Sequence, residues 1–229
     1  MHQHAAQSLR QDDRRSLGSV FPLDAPRGEL TWRADLGVGF YPVEAGITPY
    51  DQAYFDRFER DANTPLGRAL MDARCDFVAC HYQGVLLDVG IGSGAFIDRR
   101  RADGRSTYGY DVNPAGIRWL KDRHLDLDPY VTSVPAASFW DVLEHIPFYG
   151  VLLANVRRWV FLSLPIFHDK QHALRSKHFR PTEHCWYFSR DGLVLAMNLC
   201  GFELAAENVV ETELGREDIG SFAFRRAPE

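Results

Sequence analysis

An apolar run closed off by glycine, Gly84-Val85-Leu86-Leu87-Asp88-Val89, passes without a break into Gly90-Ile91-Gly92-Ser93-Gly94. Nothing else in the chain restricts its fold as much. The run is short and does not alternate with polar residues, which predicts a strand buried on both faces in a parallel sheet. The glycines let the backbone turn sharply and let a ligand come close to it, as the first strand-to-helix turn of an open α/β sheet requires. Next, Ser106 to Tyr110 reads as a second strand ending in Asp111, followed by a helix containing Ile117, Trp119 and Leu120. Further strands are expected at 136–140, 160–164, 202–210 and 221–224. Helices are expected at 151–159 and 191–199, the latter ending at Gly201, a natural left-handed cap.

Upstream of the run, the pattern of Tyr54, Phe55 and Phe58 predicts a helix, and Asn63-Thr64-Pro65 supplies its stop and the cap of a second helix through Leu66, Leu70, Ala73, Phe77 and Cys80. Residues 31–50, rich in glycine, proline and aromatics, read as a loop or short irregular arm. Residues 1–30 hold few periodic apolar positions and read as a mobile tail. The expected organisation is therefore a tail (1–30), an arm with lid helices (31–83) and a ligand-binding core (84–229).

Of the 229 residues, 45% are hydrophobic and 25% charged, which excludes a wholly disordered chain. The net charge of -5 has the wrong sign for a generic binder of phosphate backbones, although a local basic patch leaves nucleic acid open as a partner. No apolar run reaches the ~18 residues that span a bilayer. The four cysteines form no CxxC pair and no secretory leader is evident, so a reducing, cytoplasmic setting and no membrane partner are expected.

Asp111 follows the glycine turn by roughly 20 residues, where a carboxylate at the end of the second strand accepts hydrogen bonds from ribose hydroxyls. Turn and acid together indicate a nucleoside-containing cofactor. Gly90-x-Gly92-x-x-Ala95 also satisfies the loose dinucleotide pattern, so the glycines do not choose between cofactors. Asp88 helps to choose. It would repel a pyrophosphate, whereas the ammonium and sulfonium of S-adenosylmethionine are stabilised by a nearby carboxylate.

With Leu86 to Gly94 and Gly109-Tyr110-Asp111-Val112-Asn113 in view, the chain resembles the class I S-adenosylmethionine-dependent methyltransferases. Phe139-Trp140-Asp141-Val142-Leu143-Glu144-His145-Ile146 is similar to the fourth-strand motif, ending in Leu-Glu-His, of a subset that includes ubiquinone-biosynthesis O-methyltransferases. Glu183-His184-Cys185-Trp186-Tyr187-Phe188-Ser189, with Gly192-Leu193 and Gly201-Phe202 beyond it, resembles the stretch after that subset's fifth strand. The resemblance implies an α/β fold, a Rossmann-like and mostly parallel seven-stranded sheet with helices on both faces and an antiparallel C-terminal strand. It also implies that Asp88, Gly90, Gly92 and Gly94 line the methionine end, Asp111 holds the ribose, Val112 and Asn113 flank the adenine, and Trp140 and Asp141 complete the pocket. Pro135 stands where the family commonly has an aspartate, and Asp126 and Asp128 are the acids available near the adenine.

Methyl transfer to a hydroxyl or amine requires a proton acceptor, and His145 and His184 are the candidates. Scaffold hydrogen bonding is the competing role for both. His168, His172, His178, His184 and Cys185 match no known ligand spacing, so no metal is expected. Lys170, Arg175, Lys177 and Arg180, with three histidines, would make a lip for an anionic acceptor or a solvated loop. Arg99-Arg100-Arg101 reads as solvated, and Tyr50, Tyr54 or Phe55 as lid residues against the cofactor or as core. The function expected is methyl transfer from S-adenosylmethionine to an unidentified acceptor. An NAD(P)-dependent oxidoreductase and a non-catalytic binding module on the same fold are the alternatives.

Overall fold

The computed structural model describes residues 28–42 and 50–228. The chain opens with a hairpin, β1 (Thr31–Arg33) and β2 (Val38–Phe40), then two helices, α1 (Gln52–Ala62) and α2 (Pro65–His81). The core follows as β3 (Leu86–Val89), α3 (Ala95–Ala102), β4 (Thr107–Tyr110), α4 (Pro114–Asp122) and β5 (Val134–Trp140). A 3-10 turn at Leu143–His145 leads to α5 (Tyr149–Leu153), β6 (Val156–Pro165), α6 (Lys170–Arg175) and β7 (Trp186–Phe188). The chain finishes with α7 (Arg190–Leu199), β8 (Phe202–Asn208), α8 (Val210–Glu213) and β9 (Ile219–Arg226).

The main sheet has the order β4-β3-β5-β6-β9-β8, parallel from β4 to β6 and antiparallel at β9 and β8. It is thus the Rossmann-like, mostly parallel arrangement with antiparallel C-terminal strands, built of six strands among the described residues rather than seven. The six strand segments read individually from the sequence are the six found; the seventh had no segment of its own. The chain runs from β3 to β4 on one side and returns to β5 on the other, so the order reverses at β3. A crevice opens beyond the carboxyl ends of strands at such a reversal.

Local chemistry sets the elements that flank this crevice. All four residues of β3 are buried. Thr64 caps α2 by accepting the Gly67 N–H at 3.0 Å, with Pro65 in the first turn. Asn113 caps α4 by accepting from the Ala115 N–H at 2.9 Å, again followed by proline. Pro135 cannot donate to a sheet ladder, and the β5–β6 register shifts between Val134 and Ala136 to accommodate it.

Four expectations need correction. Residues 31–42 are not an irregular arm, because β1, β2 and β7 form a second, antiparallel sheet in which Phe40 packs on Trp186 at 4.9 Å. Of the helix expected at 151–159, only the start exists; β6 takes over at Val156 and exposes Arg157 and Arg158 near the sheet's end, where their charges imitate a helical polar face. Arg100 is not solvated: it is 1% exposed, with Nε donating to Thr107 Oγ1 at 3.1 Å. The expected tail up to residue 27 lies outside the described residues, but Leu30 is buried with Phe167 and Tyr187.

Candidate active site

The glycine turn holds three consecutive left-handed glycines at alternate positions, Gly90 (φ 73), Gly92 (φ 57) and Gly94 (φ 81). L-residues with side chains avoid this region, so the turn is closed to most other residues. A Cβ on Gly94 would lie 2.5 Å from the Trp119 ring. Gly94→Ala is therefore expected to destabilise the fold by ~1 to 3 kcal/mol through backbone strain and overpacking, measured as a lower urea midpoint.

Beyond the turn lies a cavity of about 360 Å³, within the range of small-molecule sites. Asp88, Gly90 and Gly92 line it from the β3 side, Trp140 and Asp141 from the end of β5, and Phe58, Met71 and Arg74 from the lid helices. The lid is tied to the core by Asn113, whose Nδ2 donates to the Asp51 carbonyl at 3.0 Å. Five residues singled out in the sequence, Asp88, Gly90, Gly92, Trp140 and Asp141, thus meet around one space.

Asp88 is 1% exposed and accepts a 2.7 Å hydrogen bond from the Ser138 hydroxyl. Burial pushes its carboxyl up to about 7, against the lowering effect of that hydroxyl. Asp141 behaves in the opposite way. Arg216 holds it with two 2.8 Å bonds and Arg74 with one at 3.1 Å, and these guanidiniums overcome burial to bring its carboxyl down to about 2. The same two arginines grip Glu211, a fully buried acid, with Arg74 at 2.7 and 2.9 Å. This four-charge cluster keeps Asp141 at φ 57, a strained position for a residue with a side chain. Trp140, under the Arg74 guanidinium at 5.2 Å, buries its indole Nε1 without a hydrogen-bond partner among the described residues.

Other sequence candidates fall outside the cavity walls. Gly94 starts α3 and packs on Trp119. Asp111 accepts the Asn113 N–H at 2.7 Å, and the amides of Val112, Ile91 and Gly92 also face its carboxylate, so it braces the glycine turn from behind. Val112 is 62% exposed, and Asn113 is committed to the α4 cap and to Asp51. Asp128 accepts the Tyr130 N–H. Phe55 is core, packed with Ile91 and Ile97, and it is Phe58, one helical turn on, that approaches Gly92. Tyr50 stacks edge-on against Tyr54 at 5.2 Å.

Three of the four cations of the basic stretch are paired with acids at the surface, and Arg175 Nε donates to the Gln171 carbonyl at 3.2 Å. Lys170 pairs with Glu29, Lys177 with Glu217 and Arg180 with Glu183, while His172 meets Asp218 at 3.1 Å and His178 meets the Glu217 carbonyl at 2.9 Å. His168 stacks on His172 rather than joining His184.

His145 and His184 do come together, with ring centroids 4.5 Å apart and edge to face. Burial lowers the affinity of both for protons, that of His184 to about 2, with His145 and Arg180 adding to the effect. Glu144 lies with them, 1% exposed, and burial raises its carboxyl well above the usual range, with the Asp141 charge adding to it. The sequence reading missed Phe58, Met71, Arg74, Glu144, Glu211 and Arg216. Phe58 stands in the first lid-helix pattern, Glu144 in the Leu-Glu-His motif, and Arg74 is a cation on a helix whose apolar stripe runs through Leu66, Leu70, Ala73 and Phe77, but none of these patterns assigns a site role.

Residues 58–207 match the family described as "Methyltransferase domain". No curated protein matches the chain. Among solved structures, it is similar to magnesium protoporphyrin IX methyltransferase from Synechocystis PCC 6803 with bound SAH, at 15% identity and a TM-score of 0.56 over 78% of this chain and 96% of that one. It is similar too to 1,6-didemethyltoxoflavin-N1-methyltransferase from Burkholderia thailandensis, solved with 1,6-didemethyltoxoflavin and S-adenosylhomocysteine, at 15% identity and 0.53 over 87% and 100%. The cyclase SpnF aligns at 13% identity and 0.51 over 71% and 82%. At such identities the likeness is one of fold, and the fold carries more than one chemistry.

Proposed function

We propose that this chain, which belongs to the methyltransferase domain family, binds S-adenosylmethionine against its glycine turn and passes the methyl group to an acceptor nucleophile. The observation that carries the reading is Asp88, a buried carboxyl lining a cavity at the sheet's reversal point, held by a hydroxyl and, among the described residues, in no ion pair, with Arg74 and Arg100 acting on it only from a distance. A cationic ligand completes such a site, whereas a pyrophosphate would be repelled by it.

The rest of the lining fits the same group. Arg74 and Arg216 border the cavity, and the Trp140 N–H offers a donor that has no hydrogen-bond partner among the described residues. Phe58 and Met71 close the lid side with apolar surface, which excludes water and strengthens the charged contacts. When bound, S-adenosylmethionine supplies a methyl group already activated on sulfur, so the protein's tasks are alignment and management of the acceptor's proton. A group with a proton affinity near that of His184 is too weak a base for the second task. The Leu143-Glu144-His145 turn supports likeness to the Leu-Glu-His subset in residues 139–146. Among the described residues no helix is long and apolar enough to cross a membrane.

Titration calorimetry with S-adenosylmethionine and with NAD tests the reading. Binding of the first alone is the expected result; binding of NAD alone would establish the oxidoreductase alternative instead. Asp111→Ala is expected to weaken S-adenosylmethionine binding by ~1 to 3 kcal/mol, because it removes the brace behind the turn that lines the cavity. An unchanged dissociation constant would take Asp111 out of the site.

A further inference from the structure

The structure assigns Glu144, His145 and His184 to a divalent metal site, a carboxylate and two imidazoles gathered at the end of β5. The fold builds this meeting deliberately across a long stretch of sequence. The Cys185 N–H and thiol both donate to the Glu144 carbonyl, at 2.9 and 3.1 Å, and the Trp186 indole donates to the Ile146 carbonyl at 3.1 Å. These bonds clamp the segment leading into β7 onto the 3-10 turn, so His184 arrives beside Glu144 and His145. One ligand atom from each of the three residues lies within 4.8 Å of the others. Donors bound at about 2.1 Å to a single ion stand roughly 3 to 4 Å apart, so a slight contraction closes the set.

The second observation is what the protein leaves unsatisfied there. Both Glu144 carboxylate oxygens and His145 Nδ1 are buried without a hydrogen-bond partner among the described residues. Buried polar atoms are nearly always paired, and a buried carboxyl group without a hydrogen-bond partner is costly even when neutral. No imidazole nitrogen bonds to the carboxylate, so the three groups do not satisfy one another. One cation between them would satisfy all three.

The donor set names the class of ion. Two imidazoles with one carboxylate suit borderline divalent ions such as Zn²⁺, Mn²⁺, Fe²⁺ and Co²⁺, whereas Mg²⁺ and Ca²⁺ favour sites made of oxygen. Three protein donors also leave a coordination position open. As ligands, both histidines lend lone pairs to the ion, which replaces the proton-accepting role their sequence positions suggested. The site rests on its own residues and not on the methyl-transfer reading, and the experiment below separates the two.

Chelator-treated protein is titrated with Zn²⁺ and Mn²⁺ by calorimetry and with Co²⁺ by visible absorption, and S-adenosylmethionine binding is measured on the same samples. Uptake of one ion per chain is expected, with d–d bands from Co²⁺ that Zn²⁺ abolishes. Glu144→Gln and His184→Ala are each expected to weaken that affinity at least 10-fold, while His2→Ala with His4→Ala, a competing pair near the start of the sequence, leaves it unchanged. No stoichiometric uptake, or uptake that survives in the first two variants, would overturn the site. Where a variant fails to fold by circular dichroism, X-ray absorption of the Co²⁺-loaded parent decides: two imidazoles and a carboxylate support the assignment, and any other ligand set refutes it. Metal uptake without S-adenosylmethionine binding would count against the methyl-transfer reading alone, and the reverse against the metal site alone.

Discussion

Arg74→Met is expected to destabilise the protein by about 3 to 5 kcal/mol, the cost of removing one member of a buried charge network. The Arg74 side chain is 11% exposed and bonds to a Glu211 carboxylate with no exposure at all. Methionine fills the volume but leaves Glu211 with Arg216 as its remaining partner and Asp141 with one guanidinium instead of two. For a chain of this size the loss corresponds to a fall in Tm on the order of 10 °C. Arg99→Met is the control. Arg99 also bridges two acids, Asp72 and Asp103, but on the surface, so its midpoint should barely move.

The pH dependence of the same variant carries a sign. The Asp141 carboxyl titrates lower in the folded protein, near 2, than in an unfolded chain. Its contribution to stability is therefore complete above about pH 4 and is lost as pH falls through about 2. With Arg74 gone the folded-state value moves back towards the unfolded one, and acid unfolding should begin at a higher pH. A variant whose acid-unfolding curve coincides with the parent's would show that Arg74 does not hold Asp141 ionised.

The contrast between Asp88 and Arg74 explains how much of this site was open to reading from the chain. Asp88 and the glycines around it are legible because the constraint is local: a strand buried on both faces appears as an unbroken apolar run, and a left-handed turn admits little but glycine. Thr64 and Pro65 are legible for the same reason, since a cap satisfies amides only three residues away. The charge cluster had no such signature. Arg74 lies on α2, Glu211 on α8 and Arg216 just beyond it, and only the packing of α2 against the end of the sheet makes them neighbours. The hairpin of β1 and β2 was lost because three-residue strands carry no measurable period and their partner, β7, lies far along the chain. His145 was noticed for its chemistry while Glu144 beside it was not, since nothing in the sequence says that the bond from Cys185 will bring His184 to both.

Asp88→Asn should move stability and binding in opposite directions. The Asp88 carboxyl titrates higher in the fold, at about 7, than in the unfolded chain. A raised carboxyl contributes its full stability only below the unfolded value, near pH 4, and that contribution disappears as pH rises through 7. At pH 8 the protein thus carries a buried, ionised carboxylate at a cost of several kcal/mol. Asparagine keeps the acceptor for the Ser138 hydroxyl without the charge, so the ligand-free variant is expected to be more stable than the parent by ~1 to 3 kcal/mol at pH 8 and little different near pH 4. Binding should respond the other way. A cationic ligand favours the ionised carboxyl, so the parent should bind S-adenosylmethionine more weakly as pH drops below about 7, approaching tenfold per unit. The variant should bind it ~10 to 100-fold more weakly at pH 8 and show no such slope. Calorimetry across pH 5.5 to about 8.5, paired with urea unfolding of both proteins, reads both effects. A parent whose affinity is flat across that interval would mean that the Asp88 carboxylate does not meet the ligand's positive charge, and the electrostatic basis for choosing a sulfonium over a dinucleotide would go with it.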